Sequence, residues 1–196
     1  MKILIAVPTF ENITAETFKS IYDIQRNHNY DITFDYVKGY DCAVARNKIA
    51  KKAMNEGYKY VLMVDSDIIV PPDVLEKLLE YPVDVCFGLY PHKNTKDGEA
   101  EIFKQNKGDF TERFRYKELT DKVRVDVKGG GFGCVLINTA VFIYLNYPWF
   151  QYVSYENGTY LSEDLYFCER AEFAGFKIQA DARVKCGHLF KHFQYE

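Results

Sequence analysis

Four segments in the first half of the chain read as strands: Ile3–Val7, Ile32–Val37, Tyr60–Val64 and Val83–Leu89. Ile3–Val7 and Tyr60–Val64 are continuous apolar runs bounded by turn residues, the pattern of a buried strand. Helix-patterned stretches separate the four. Thr14 can cap a helix running to about Asn27, with Glu16 favourably placed in its positive first turn. Asp41 can cap Ala43–Glu56, an Ala- and Lys-rich stretch stopped by Gly57, and Asp73 opens a short amphipathic helix to about Tyr81. Strand and helix alternating through short connections imply a mostly parallel sheet with helices on both faces. The expected fold class is therefore α/β, and 196 residues suit a single core.

The pattern changes after Tyr90-Pro91. His92–Thr120 is polar and mixed in charge, and within it and just beyond, Phe110–Tyr116 and Val123–Val127 have the composition of edge strands or a flap. Long connections of this kind inside a compact domain are often functional. Regular structure returns with a strand at Gly133–Ile137, a short helix near Thr139–Leu145 and a helix from Glu163 to about Ala174. Ser162 is placed as the N-cap of that helix and Gly175 as its stop, and Phe176–Ala182 is a late strand.

Composition excludes several classes of function. The formal charge of −3 gives no electrostatic reason for a nucleic acid or an anionic membrane to be the main partner. No apolar run approaches the ~20 residues of a membrane span. The chain enters its first strand at once, without the long apolar segment of a secretory leader, so a cytoplasmic protein is expected. Cys42, Cys86, Cys134, Cys168 and Cys186 are odd in number and scattered, which fits reduced, mostly buried thiols better than a disulfide framework or a zinc site.

The chemistry concentrates at strand ends. Tyr60–Val64 runs directly into Asp65-Ser66-Asp67, and the carboxyl end of a strand is where an open α/β sheet places its ligands. Carboxylate oxygens suit hard cations such as Mg²⁺ and Mn²⁺, which commonly bridge to phosphates. Gly129-Gly130-Gly131-Phe132-Gly133 is either a flexible turn or a place where backbone lies close to a ligand. It leads into a strand and not a helix, so it is not a dinucleotide fingerprint. Glu163 and Asp164 stand in the first turn of a helix, where the dipole favours ionised carboxylates and one of them can serve as a general base. His188 follows Cys186-Gly187 beyond the last strand. Taken singly, each motif has an ordinary structural explanation.

The ordered set is more specific: V-P-T-F on the first strand, A-R-N-K on the second helix, D-S-D, G-G-G-F-G, S-E-D-L and C-G-H-L. This order resembles the GT-A glycosyltransferases, especially family-2-like members, from Lys2 to about Leu189. The resemblance implies one GT-A domain over 1–196, with a nucleotide-binding half at 1–91 and an acceptor and catalytic half at 92–196. It implies transfer of one sugar from a nucleotide-diphosphate donor to an acceptor hydroxyl, most simply on a glycan, with Mn²⁺ or Mg²⁺ as cofactor. By the same resemblance, Pro8, Thr9 and Glu11 border the base and ribose, and Arg46 helps hold the nucleotide. Asp65 and Ser66 contact the ribose or metal-bound water, with Asp65 also a metal contact. Asp67 binds the metal, with His188 a further metal ligand or a diphosphate contact. Gly130 and Gly131 lie near the donor sugar or the acceptor. Asp164 is the base of an inverting reaction and Glu163 orients hydroxyls, while Trp149 is either a sugar platform or core. An acid reading the base is not obvious, Asp35 and Asp41 both being imperfect. The Gln-Arg-Arg-Trp signature of processive synthases is missing, which points to single-sugar transfer. Two other readings of the same sheet are a sugar-1-phosphate nucleotidyltransferase and a binding module without chemistry. Val7–Glu11 lacks the basic Gly-rich loop of the first, and the retained acids and His188 argue against the second.

Overall fold

A computed structural model of the chain describes residues 1–27, 30–92, 98–104, 112–156, 158 and 160–189. The elements in order are β1 (Lys2–Thr9), α1 (Ala15–Asn27), β2 (Asp31–Lys38), α2 (Cys42–Asn55), β3 (Tyr60–Val64), β4 (Ile68–Ile69), α3 (Val74–Leu79), β5 (Val85–Leu89) and β6 (Glu99–Phe103). They continue with β7 (Arg113–Arg115), β8 (Arg124–Asp126), β9 (Gly129–Gly130), β10 (Cys134–Asn138), α4 (Ala140–Tyr144), β11 (Val153–Ser154), β12 (Tyr160–Leu161), α5 (Glu163–Phe173), β13 (Ile178–Lys185) and β14 (Gly187–His188). Phe110 and Thr111, within one expected edge strand, lie outside the described residues.

The main sheet has seven strands in the order β2-β1-β3-β10-β5-β13-β8. β2, β1 and β3 are parallel, and β5 and β13 run the same way. β10 is antiparallel to both of its neighbours, and β8 is antiparallel to β13. The reversal at β10 has a local cause. β10 is reached from the small β7-β6-β9 sheet and not through a crossover helix, so it enters from the opposite end.

Apolar runs without alternation make sense because both faces of the sheet are covered. Leu4, Ala6, Val61 and Met63 face one core, closed by α2, α4 and α5. Ile3, Ile5, Leu62 and Val64 face the other, closed by α1 and α3. α2 buries Ala43, Ala50 and Ala53, small side chains that let it lie close against β1 and β3. Its cap is as expected: the Asp41 carboxylate accepts from Val44 N–H at 3.0 Å. Thr14 likewise accepts from Thr17 N–H at 3.3 Å. Asp73 precedes α3 but its side chain makes no cap bond.

β13 runs to Lys185, beyond the expected end at Ala182. Asp181 and Arg183 break the apolar pattern, yet the strand continues because Asp181 is fully buried and satisfied. Arg183 donates to it from Nε at 3.0 Å and from Nη2 at 2.7 Å. No helix among the described residues is long and apolar enough to cross a membrane.

Candidate active site

The carboxyl ends of β1 and β3 open into a cleft of about 520 Å³, within the usual size of a small-ligand site. Pro8, Thr9 and Phe10 form one wall, Tyr40, Asp41 and Cys42 the next, and Asp65, Ser66 and Asp67 the floor. Tertiary contacts fix this rim. Gly39 N–H donates to Thr9 O at 3.1 Å, tying the β2–α2 loop to the end of β1. Asp65 N–H donates to Gly133 O at 3.1 Å, and Thr14 N–H to Ser66 O at 3.0 Å. Cys42 is exposed here, while the other four cysteines are buried. Glu11 is exposed and lies outside the cleft lining.

His188 reaches Asp67 through a ladder too short to read from sequence. β14 pairs antiparallel with β4, placing His188 opposite Ile68, and Leu189 N–H donates to Asp67 O at 2.9 Å. His188 Nδ1 lies 2.8 Å from Pro91 O. A carbonyl only accepts, so Nδ1 carries the hydrogen, and in the neutral ring Nε2 presents a lone pair. That nitrogen lies 3.5 Å from Asp67 Oδ2. Two electron-pair donors so placed, one with its tautomer fixed from behind, fit a shared cation. The described residues contain no cluster of three or more His, Cys, Asp or Glu around such a point. Two protein donors with the remaining positions left to phosphate oxygens is a normal arrangement for Mg²⁺.

Asp65 lines the same cleft and also reaches beneath it. Its Oδ1 accepts from Arg46 Nη2 at 2.9 Å, and Arg46 Nη1 donates to Glu163 Oε1. Arg46 is 3% exposed and lies outside the cleft lining, with its guanidinium 5.4 Å from the centre of the Phe132 ring. Glu163 is 5% exposed and also absent from the lining. Arg46, expected at the nucleotide, and Glu163, expected at hydroxyls, meet each other in a buried bridge. Arg46 ties the end of β3 to the start of α5 beneath the cleft. Burial holds the Asp65 and Glu163 carboxyls above the usual carboxylate range, and the guanidinium between them opposes that rise only in part.

Asp164 does face the cleft. Ser162 sits at the N-cap position, but its hydroxyl donates to Asp164 Oδ1 and makes no cap bond. Leu165 N–H donates to the same oxygen at 2.8 Å, so the carboxylate is fixed in orientation. Trp149 is core: its Nε1–H donates to Phe142 O at 2.9 Å and Leu145 O at 3.0 Å. Asp35 is ion-paired with Lys52 at 2.7 Å, whereas Asp41 lines the cleft.

The Gly run is neither a loose turn nor wholly a ligand contact. Gly129 and Gly130 pair with β6, and Gly131 lines the cleft. A Cβ on Gly131 would stand 2.2 Å from Tyr90 Oη and 2.8 Å from Glu101 Cγ. Tyr90 is buried and accepts from Gly133 N–H at 3.2 Å, so it cannot simply swing away. Gly131→Ala should cost about 1–3 kcal/mol by overpacking. Urea unfolding checks this, and an unchanged midpoint would show that Tyr90 yields.

Sequence reasoning missed Tyr40, Tyr90, His92 and Glu101, all on the cleft wall. Their only sequence signal is position, just after β2 and β5 or on β6. Glu101 Oε2 meets His92 Nδ1, and its Oε1 accepts from Arg113 Nη2 at 3.0 Å.

The family model for glycosyl transferase family 2 matches residues 14–145. The chain belongs to glycosyl transferase family 2. It is a glycosyltransferase, and the matched span takes in Arg46, the Asp65–Asp67 turn and the Gly run, ending before α5 and His188. No curated protein sequence matches the chain. Among solved structures, A197 from STIV aligns at TM-score 0.69 and 17% identity, covering 97% of this chain and 87% of that one. GalNAc-T7, solved with UDP, GalNAc and Mn²⁺, aligns at 0.62 and 12%, covering 97% of this chain but 44% of its own. A UDP-glucose pyrophosphorylase complexed with UDP-glucose aligns at 0.50 and 9%, covering 95% and 92%. At these identities the likeness is one of fold, and it is the GT-A fold of the family-2 glycosyltransferases.

Proposed function

We propose that this family-2 domain transfers a single sugar from a nucleotide-diphosphate donor to an acceptor hydroxyl, with inversion and with Asp164 as general base. The observation that carries this reading is the meeting of Asp164 with the Asp67–His188 pair across one cleft. Residues 1–91 form the nucleotide half, where Pro8, Thr9 and Phe10 face Tyr40 and Asp41 and can enclose a base and ribose. Residues 92–196 form the acceptor and catalytic half. Asp67 and His188 would hold Mn²⁺ or Mg²⁺, which when bound offsets the negative charge that develops on the departing diphosphate.

The protein's own groups do the rest. Arg46 holds Glu163 and Asp65 in place, so the base at the head of α5 and the diphosphate end of β3 keep a constant separation. Ser162 and Leu165 engage one oxygen of Asp164, leaving the other to take the acceptor proton. Attack from the face opposite the diphosphate then inverts the anomeric carbon.

The test is a thermal shift with UDP-, GDP-, dTDP- and CMP-sugars in Mn²⁺, Mg²⁺ or EDTA, since a ligand of the native state raises its apparent stability. One nucleotide class should raise the midpoint, and EDTA or Asp67→Ala should abolish most of the gain by removing a hard ligand. A midpoint indifferent to every donor in a well-folded sample would return the chain to a binding module without this chemistry.

A further inference from the structure

A second cavity of about 340 Å³ adjoins the cleft. Glu101, Gly131 and Asp164 border both, so the two spaces meet at the proposed base. The far side of the second cavity is made by Arg113, Ser162 and Tyr160. Tyr160 is 74% exposed on β12, which pairs antiparallel with β11 through Ser154. The Arg113 guanidinium lies 4.7 Å from the centre of the Phe103 ring and donates to Glu101 from Nη2 at 3.0 Å and Nε at 3.3 Å.

We infer that this second cavity is the acceptor subsite and that it takes a saccharide, with Arg113, Glu101 and Tyr160 determining its specificity. The inference rests on the transferase reading and names its acceptor class. A lipid alcohol needs apolar walls along its chain, whereas this cavity presents two carboxylates, a guanidinium and hydroxyls, its apolar side chains being Leu165 and Phe103, the latter beneath Arg113. A pyranose carries neighbouring hydroxyls that both donate and accept, and Arg113 beside Glu101 offers a donor and an acceptor side by side. Its C–H face is apolar, and the negative face of an exposed Tyr ring suits it. An acceptor hydroxyl held beside Asp164 forms the new bond to the anomeric carbon. The bond from that carbon to the diphosphate breaks, its electron pair leaves with the nucleoside diphosphate, and the hydroxyl proton passes to Asp164.

The test uses the donor and metal identified by thermal shift and measures nucleoside diphosphate release. The acceptors are p-nitrophenyl glycosides of common hexoses, a Ser/Thr-containing peptide and dodecanol. At least one glycoside should accelerate release and itself gain the sugar. Tyr160→Ala should raise the KM for that glycoside about tenfold, with Tyr160→Phe restoring it and the donor's thermal shift unaltered in both. Arg113→Ala should act in the same direction, on acceptor KM and not on the donor shift. Because Tyr160 is exposed, its substitution does not endanger folding. Transfer confined to the peptide or the alcohol overturns the inference. So does an acceptor KM indifferent to both Tyr160→Ala and Arg113→Ala. A donor that binds and hydrolyses with no glycoside ever modified defeats this inference while sparing the transferase reading. Absence of any donor binding defeats both.

Discussion

Asp164→Asn should bind the nucleotide sugar as tightly as the wild type and transfer the sugar about 10²–10⁴ times more slowly, the usual contribution of a positioned general base. The substitution preserves shape. Asn keeps an oxygen for the Ser162 hydroxyl and the Leu165 N–H, which now hold Oδ1, so the start of α5 should not move. It replaces the other carboxylate oxygen by an amide nitrogen that cannot accept a proton. The loss should therefore fall on kcat, with the donor's thermal shift unchanged. A product assay by mass spectrometry, with the metal held saturating, reads the rate. Full transfer by the Asn variant would remove Asp164 from the mechanism and leave its carboxylate only complementing the positive start of α5.

Arg46→Met has the largest expected effect on stability. The guanidinium is buried and carries two charge-assisted contacts, one to Asp65 and one to Glu163. Truncating one member of a buried ionic group strands the others without compensation, at a cost of about 3–5 kcal/mol. Urea unfolding at constant m-value measures it. Burial already pushes the Glu163 carboxyl up, and Arg46 is what opposes that push. Without Arg46 the carboxyl must rise further, and protonation then relieves the stranded charge. The deficit of Arg46→Met should thus be largest at neutral pH and shrink as pH falls through that raised range. Adding Glu163→Gln should recover part of the loss, a coupling that a double-mutant cycle measures directly. Arg46→Lys should restore little, because an ammonium on a flexible stem cannot match a fork reaching two carboxylates. An Arg46→Met variant of wild-type stability would show that the bridge contributes nothing net to the fold.

Much of the sheet could be read in advance, and the reason is local. β1, β3 and β5 are buried on both faces, so their sequences are continuous apolar runs, whereas β2 lies at the sheet edge and mixes apolar with polar residues. Breakers stand beside them, and Asp41 and Thr14 cap their helices with bonds that depend only on neighbouring residues. The reach of β13 past Ala182 was hidden, because Arg183 looks like the end of a strand until it is seen paired with the buried Asp181. The antiparallel entry of β10 was hidden too, since strand direction depends on how the chain arrives, and that path runs through the β7-β6-β9 sheet.

The same division runs through the site. The sequence by itself determined the family, the α/β alternation and which acids stand at the end of β3 and the head of α5, because these follow from short-range pattern and residue order. Tertiary structure alone decided what those residues face. It set Arg46 between Asp65 and Glu163 beneath the cleft, brought His188 to Asp67 through a two-residue ladder, and placed Tyr90, Glu101 and Arg113 around Asp164. A charged side chain looks the same in sequence whether it meets solvent, a ligand or a buried partner. Only packing settles which of these it meets, because the cost of desolvating a charge depends on what lies within a few ångströms of it in space.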